Sequence, residues 1–296
     1  MENKFAEIYD NYPLEEIKSI YKIGNCTNDV YRLKTTGKDY IVKRFKRKKK
    51  NIITSINLQS IMSNYSLSPS IVTTKHGSNY MLVNEETFFI QEFLENEKNI
   101  NDKLNFYTIF SSVARMYNLL DKINIKLPKL QEVNKLYSIS DNELVLDFYK
   151  FKKDIKMSLD LIEVSRKSTT KAELIHGDLR PDNILISNNN TYVIDFESIK
   201  YGNRDEEILK FLILFSRYNQ ENLLYYISFV SKKFGYLNNM VDTVYSLLKQ
   251  MLLNNFVEKN YIILSNKYLN YTIDEHKFII LTCLKLLEEK NVFNGG

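Results

Sequence analysis

The stretch HGDLRPDNIL, residues 176–185, gathers a histidine, two aspartates, an arginine and an asparagine into ten positions and ends on an apolar pair. Asp178 and Asn183 stand five residues apart with Pro181 between them. Proline lacks the backbone donor and its ring clashes with the preceding turn, so the segment cannot be a regular helix and reads as a loop. The runs "NILIS" and "TYVIDFE" follow, separated by "NNN", which predicts a hairpin leaving this loop and carrying Asp195 at its far end. A loop and hairpin that present two carboxylates and a carboxamide offer three oxygen ligands to one point. That is how a hard cation such as Mg2+ is held when a phosphate supplies the remaining oxygens. The plainer alternative is a polar loop that satisfies backbone groups at a strand entrance. The full pattern favours the cation reading: His-Gly-Asp, four residues, Asn, then apolar-Asp-Phe at 194–196.

Upstream of this stretch the chain is first strand-like and then helical. "KSIYKI" and "DVYRLKT" flank the turn residues 24–28, and "TGKD" separates the second run from "YIVKRF", which gives three strands at hairpin spacing. "IITSINLQSIMSNY" places Ile52, Ile56, Gln59 and Met62 at near-helical spacing, and "SIVTTK", "YMLV" and "TFFIQEFL" return to extended patterning, with "HGSN" as a tight turn. A small sheet of five or six strands with one helix is expected. From residue 96 the period changes. "KLNFYTIFSSVARMYNLLDKI" puts Phe106, Ile109, Phe110, Val113, Tyr117 and Leu120 on one helical stripe, "NELVLDFYKFKKDIKMSLDLIEVS" continues in that style, and helical patterning resumes from Asp205 to Asn291. The polar segment "ENEKNIN" marks a boundary, giving lobes at 1–95 and 96–296.

Bulk properties exclude several classes. With 44% hydrophobic residues, 13% aromatics, 8 Gly and 4 Pro in 296 residues, the chain can bury sizeable cores and has little flexible linker. Cys26 and Cys283 lie far apart with no paired spacing, so neither a disulfide framework nor a thiolate metal site is indicated. No stretch approaches a membrane span and the N-terminus has no apolar leader core, so a cytoplasmic protein is expected. The net charge of +5 owes much to "KRFKRKKK", residues 43–50, seven of whose eight residues are basic. The run reads as a solvated loop, since no interleaving of aromatic and basic residues elsewhere supports a nucleic-acid partner. Nothing in the sequence reports the oligomeric state.

The loop and hairpin, "HGDLRPDN" with "VIDFE", resemble the signature of the aminoglycoside phosphotransferase and choline kinase family, small-molecule relatives of the protein kinases. The likeness extends to "KIGNCTNDVYRL" as a nucleotide loop, "YIVKRF" as the strand with a phosphate-contacting lysine, "FFIQEFLEN" as the strand entering the interlobe hinge, and "YGNRDEEILKFLILF", where Glu207 stands in place of the usual aspartate. It covers roughly residues 18–215. The resemblance implies an α+β, bilobal, protein-kinase-like fold: a small antiparallel N-terminal lobe with one helix and a larger, mostly helical C-terminal lobe. It also implies an ATP- or GTP-dependent kinase that uses Mg2+ to phosphorylate a hydroxyl of a small molecule.

Carried over residue by residue, the resemblance makes Asp178 the group that orients or deprotonates the substrate hydroxyl. Asn183 and Asp195 become the Mg2+ ligands, Lys43 the contact to the α- and β-phosphates, Gly24 and Asn28 part of the nucleotide loop, and the Glu92 and Leu94 backbones the contacts to the adenine edge. His176 is expected to organise the loop, and Arg180 to neutralise charge, touch a phosphate or pair with an acid. "DFE" in place of Asp-Phe-Gly argues against a protein-kinase activation switch.

Two departures keep a second reading open, a nucleotide-binding pseudokinase or scaffold without transfer. Residues 51–84 contain no Asp or Glu to pair with Lys43 from the helix, which leaves Gln59, Glu85 or Glu86 as stand-ins, and "GNCTND" has a single glycine. For the acceptor, residues 201–296 hold 11 Lys+Arg against 10 Asp+Glu, so no polyanionic trap is present. Tyrosines such as Tyr225, Tyr226 and Tyr271 offer a cage for a quaternary amine or, more simply, core packing.

Overall fold

The computed structural model describes residues 8–23, 29–45, 52–96, 103–125, 127, 143–160, 172–217, 219–253 and 266–288. The chain forms two compact units, one of Met1–Lys129 with Glu173–Gly202, the other of Leu130–Ala172 with Asn203–Gly296.

The first unit is built on a six-stranded sheet of β1 (Ile17–Lys22), β2 (Asp29–Thr35), β3 (Asp39–Phe45), β4 (Ile71–Val72), β5 (Met81–Val83) and β6 (Glu86–Glu92). Its order is β1-β2-β3-β6-β4, with β5 also on β6, and every pairing is antiparallel. Because side chains alternate across a strand, β3 and β6 supply both faces. Val42, Phe88 and Ile90 join Tyr31, Leu33 and Tyr12 in one core cluster, and Phe45 and Phe89 join Ile52 and Ile56 of helix α1 (Ile52–Asn64) in another. Each fully buried Phe or Ile contributes roughly 1.5–3 kcal/mol. On α1 Leu58 is also buried, whereas Ile53 is 39% exposed.

Helix α2 (Lys103–Leu120) lays the expected stripe of Phe106, Ile109, Phe110, Val113, Tyr117 and Leu120 inward, each at most 1% exposed. It packs on β7 (Glu173–Ile175) and β9 (Asn190–Val193). The expected hairpin is β8 (Ile184–Ser187) with β9, closed by Asn188 and Asn189 at φ 50° and 61°. Two consecutive positive φ values suit asparagine and match the twist of the strands, so "NNN" is the hairpin's cause. Sequence reading missed β10 (Lys200–Gly202), which pairs with β7 rather than with the hairpin. Three residues are too few to show a period.

In the second unit, α3 (Glu143–Asp160), α4 (Arg204–Phe215), α5 (Gln220–Phe234), α6 (Met240–Leu253) and α7 (Asn266–Glu288) pack together, with α6 against α3, α4 and α7. Helix α4 buries Ile208, Leu209, Phe211, Leu212, Ile213 and Phe215, which cover more than half of its circumference. Asn203 caps it by accepting from the Asp205 and Glu206 amides at 2.9 and 3.3 Å. Among the described residues no helix is long and apolar enough to cross a membrane.

Candidate functional site

The site is assembled within the first unit, from the loop before β8, the end of β9, strand β3 and the exit of β6. The loop is shaped by a histidine that never meets solvent. His176 is fully buried, and its Nδ1 accepts the Asp178 amide at 3.3 Å. Its Nε2 therefore carries the proton and donates to the Ile194 carbonyl at 3.0 Å. The ring also packs on Phe196, with centroids 4.9 Å apart. One neutral imidazole thus ties the residue after Gly177 to the residue before Asp195, which fits an organiser and leaves neither nitrogen for substrate.

Gly177 is required twice over. Its φ is +85°, and a Cβ there would lie 1.8 Å from the Ser198 carbonyl oxygen. This close approach lets the loop lie directly on the turn Phe196–Ser198 that follows Asp195. Pro181 then opens a single 3-10 turn over Pro181–Asn183, where its missing donor costs nothing. That turn points Asn183 back, so its Nδ2 donates to the Asp178 carbonyl at 2.8 Å and approaches Asp178 Oδ2 at 3.4 Å. With the amide NH2 spent on Asp178, the Asn183 oxygen is the end that faces away as an acceptor. Arg180 pairs with Asp182 at 3.3 Å, the last of the three roles expected for it.

Asp195 sits in the left-handed region, at φ 70° and ψ 54°, which aspartate tolerates better than most residues. Lys43, 9% exposed on β3, donates to its Oδ1 at 3.1 Å. Burial pushes the Asp195 carboxyl upward, but the Lys43 charge, a hydrogen bond with Glu197 and the Lys43 hydrogen bond outweigh it, and the group is held below the usual carboxylate range. An ionised aspartate, a carboxamide oxygen and a neighbouring Asp178 form an all-oxygen donor set, which suits a hard cation such as Mg2+. Among the described residues no three His, Cys, Asp or Glu side chains are placed to hold a metal by themselves, so such an ion needs further oxygens from its ligand.

Neither Gln59 nor Glu86, two of the expected stand-ins for the missing helix acid, serves Lys43. Gln59 of α1 donates to Gln91 of β6 at 2.7 Å, both residues being buried. Glu86 holds Arg44 at 2.7 and 3.0 Å. Among the described residues the ion-pair partner of Lys43 is Asp195. Arg44 also reaches Asp29, so the first two residues of the basic run are paired strand residues, and positions 46–50 lie outside the described residues. Gly24, Asn28 and the rest of the nucleotide loop, 24–28, lie outside them as well.

At the exit of β6, the Glu92 amide donates to the Ser70 carbonyl at 2.9 Å and the Phe93 amide to the Asp39 carbonyl at 3.0 Å. The sequence reading missed Asn96 and Gln91. Asn96 accepts the Ile186 amide of β8 at 3.0 Å, which fastens the polar connector to the hairpin. The period-two register was the available signal for Gln91, since it places Gln91 on the face of Lys43 and Phe89. The tyrosines of the second unit do not behave alike: Tyr226 is core, against Phe215 and Tyr225, whereas Tyr225 and Tyr271 are more than half exposed.

The sequence pattern of the phosphotransferase enzyme family matches residues 134–229. No curated protein sequence matches the chain. Among solved structures, a microcompartment-associated aminopropanol kinase is similar at 12% identity and TM-score 0.66, covering 98% of each chain. An amicoumacin kinase in complex with AMP-PNP and Ca2+ is similar at 15% identity and TM-score 0.60, over 95% of this chain and 93% of that one. The aminoglycoside phosphotransferase from Alicyclobacillus acidocaldarius is similar at 13% identity and TM-score 0.58, over 95% of both. The α+β, protein-kinase-like fold expected from the sequence is the observed one. Residues 134–229, which include the HGDLRPDN loop, match the phosphotransferase enzyme family pattern, and the fold is the one seen in the solved structures named above.

Proposed function

We propose that the protein transfers the γ-phosphoryl group of ATP, with GTP as the other candidate donor, to a hydroxyl of a small molecule, a metabolite or an antibiotic. The observation that carries this reading is the 3.1 Å pair of Lys43 with Asp195, beside an Asn183 already oriented by Asp178. One cationic and several oxygen-bearing side chains are thereby grouped where a metal-bound polyphosphate needs them. Phosphoryl transfer through a loose transition state asks for positioning and charge neutralisation rather than covalent help.

In this reading Asp178 accepts the proton of the acceptor hydroxyl as its oxygen bonds to the γ-phosphorus and the bond to the β–γ bridging oxygen breaks. Lys43 meets the α- and β-phosphates as a point charge. Asn183 and Asp195 hold Mg2+, which when bound neutralises charge on the β- and γ-phosphates. Glu92 and Leu94 present backbone groups to the base, and Gly24 and Asn28 border the phosphates. Residues 1–95 act as the nucleotide lobe and 96–296 as the catalytic and acceptor lobe. The AMP-PNP bound in the amicoumacin kinase and the small acceptor of the aminopropanol kinase support the assignment. An ATP-consuming enzyme of this kind belongs in the cytoplasm, and no nucleic-acid partner is proposed.

The pseudokinase reading draws on the Gln59–Gln91 contact, which leaves Lys43 without a helix carboxylate. One experiment separates the two. Isothermal titration with ATP and GTP, with and without Mg2+, is followed by transfer assays on choline, thiamine, homoserine, sugars, aminoglycosides and macrolides. Metal-dependent binding with transfer to one acceptor is expected. Binding without transfer to any acceptor identifies the pseudokinase, and a folded protein that binds no nucleotide sinks both.

A further inference from the structure

We infer that Lys43 guards the metal-binding carboxylate: without nucleotide it holds Asp195 Oδ1, so the site takes up a divalent cation together with nucleotide rather than before it. The inference rests on the assignment of Asp195 as a metal ligand and goes beyond it, to the order in which the site is filled.

Three observations carry it. First, the ion pair is short and sheltered on the lysine side: the Lys43 side chain is 11% exposed against 38% for Asp195, and its ammonium lies 3.1 Å from Asp195 Oδ1, with the Phe89 ring centroid 6.0 Å away. Second, the neighbouring strand acids lie on the other face. In the strand register Glu86 and Asp29 share the face of Arg44, which holds both, and residues 51–84 bring no acid. Third, a buried polar contact of α1 with this sheet is neutral. Gln59 and Gln91 are 3% and 4% exposed and bonded to each other at 2.7 Å. Helix α1 is thus docked on the sheet by an amide bridge, and it also lies against the turn that follows Asp195. Among the described residues the anion paired with Lys43 is Asp195, which the proposed function assigns to the metal site.

The consequence is electrostatic. A cation approaching Asp195 without nucleotide must displace an ammonium from the same oxygen and then sit beside it, and like charges a few ångströms apart repel. A nucleotide changes both terms, because its phosphates give Lys43 a new anion and give the cation further oxygens.

The test uses Mn2+ as the probe and electron paramagnetic resonance of free Mn2+ as the readout, on full-length protein without nucleotide. Lys43→Met keeps the aliphatic stem beside Phe89 and removes the charge; Lys43→Arg keeps the charge and a carboxylate partner. The Met variant is expected to bind Mn2+ about tenfold more tightly than wild type, and the Arg variant to stay within about twofold of wild type. Equal or weaker binding by the Met variant overturns the guard, as does an Arg variant that tightens as much as Met. A parallel series adds AMP-PNP to the wild type. Failure to bind Mn2+ there counts against the phosphotransferase reading itself, whereas success there with no gain in Lys43→Met removes the guard alone.

Discussion

The loop-and-hairpin region 176–198 and the contact between α1 and the sheet both bury polar side chains, but they do so under different constraints. In the first, each polar group has an assigned place: His176 spans Asp178 and Ile194, Asn183 reaches Asp178, and Gly177 lies on the Ser198 carbonyl. In the second, where residues 51–84 supply no acid, α1 meets the sheet through an uncharged amide bridge between Gln59 and Gln91. The comparison teaches that the helix contact only has to dock a helix, which a neutral pair does without desolvating a charge. The loop has to aim particular oxygens, and substitutes for those are few.

The largest effect is expected at Asp178. Replacing it with alanine should lower the phosphoryl-transfer rate by about 10³-fold or more, while the melting temperature stays near wild type. The Asp178 group that Asn183 bonds most closely is the backbone carbonyl, which alanine keeps. A comparable loss of stability would show that the carboxylate holds the loop rather than serves chemistry.

Gly177→Ala comes next. The added Cβ meets the Ser198 carbonyl at 1.8 Å and the backbone is left-handed, so a loss of about 3 kcal/mol or more is expected in denaturant titration. A variant within about 0.5 kcal/mol of wild type would mean that the loop does not lie against the turn at 196–198.

At the helix contact the expectation is smaller and compensable. Gln59→Leu strands the buried Gln91 amide and should cost about 1–3 kcal/mol. Gln59→Leu combined with Gln91→Leu should recover most of that loss. A strictly additive double variant would show that the amide bridge is not the link between α1 and the sheet.

The smallest effect is a pH dependence. Asp195 is held below its ordinary range in the folded protein, so its stabilising share is present above the unfolded carboxylate value, about 3.9, and is lost as pH falls through the lower folded value. Thermal melting between pH 6 and pH 3 should therefore fall less steeply in Lys43→Met than in wild type. Parallel curves would mean that the pair has no energetic weight.

Much of this was legible because the signals are local. Pro181 forbids a helix, consecutive asparagines close a hairpin, and a 3.6-residue stripe defines α2, each within a few residues of where it acts. Strand β10 was not legible, since three residues show no period and its partner β7 is 25 or more positions upstream. Nor was the partner of Lys43. Gln59, Glu85 and Glu86 are all near it in sequence, yet Asp195, 152 positions away, holds it.

The sequence by itself determined the chemistry on offer: Asp178, Asn183 and Asp195 at spacings that only a loop and a hairpin can bring to one place, and a lysine on a strand. Tertiary structure alone decided the pairings, namely that Lys43 meets Asp195, that Gln59 meets Gln91, and that a buried neutral His176 locks the loop. The reason is physical. Residue type and short-range period fix which groups exist and which face they occupy, but the choice of partner among several competent groups depends on burial and on which acceptors are already taken.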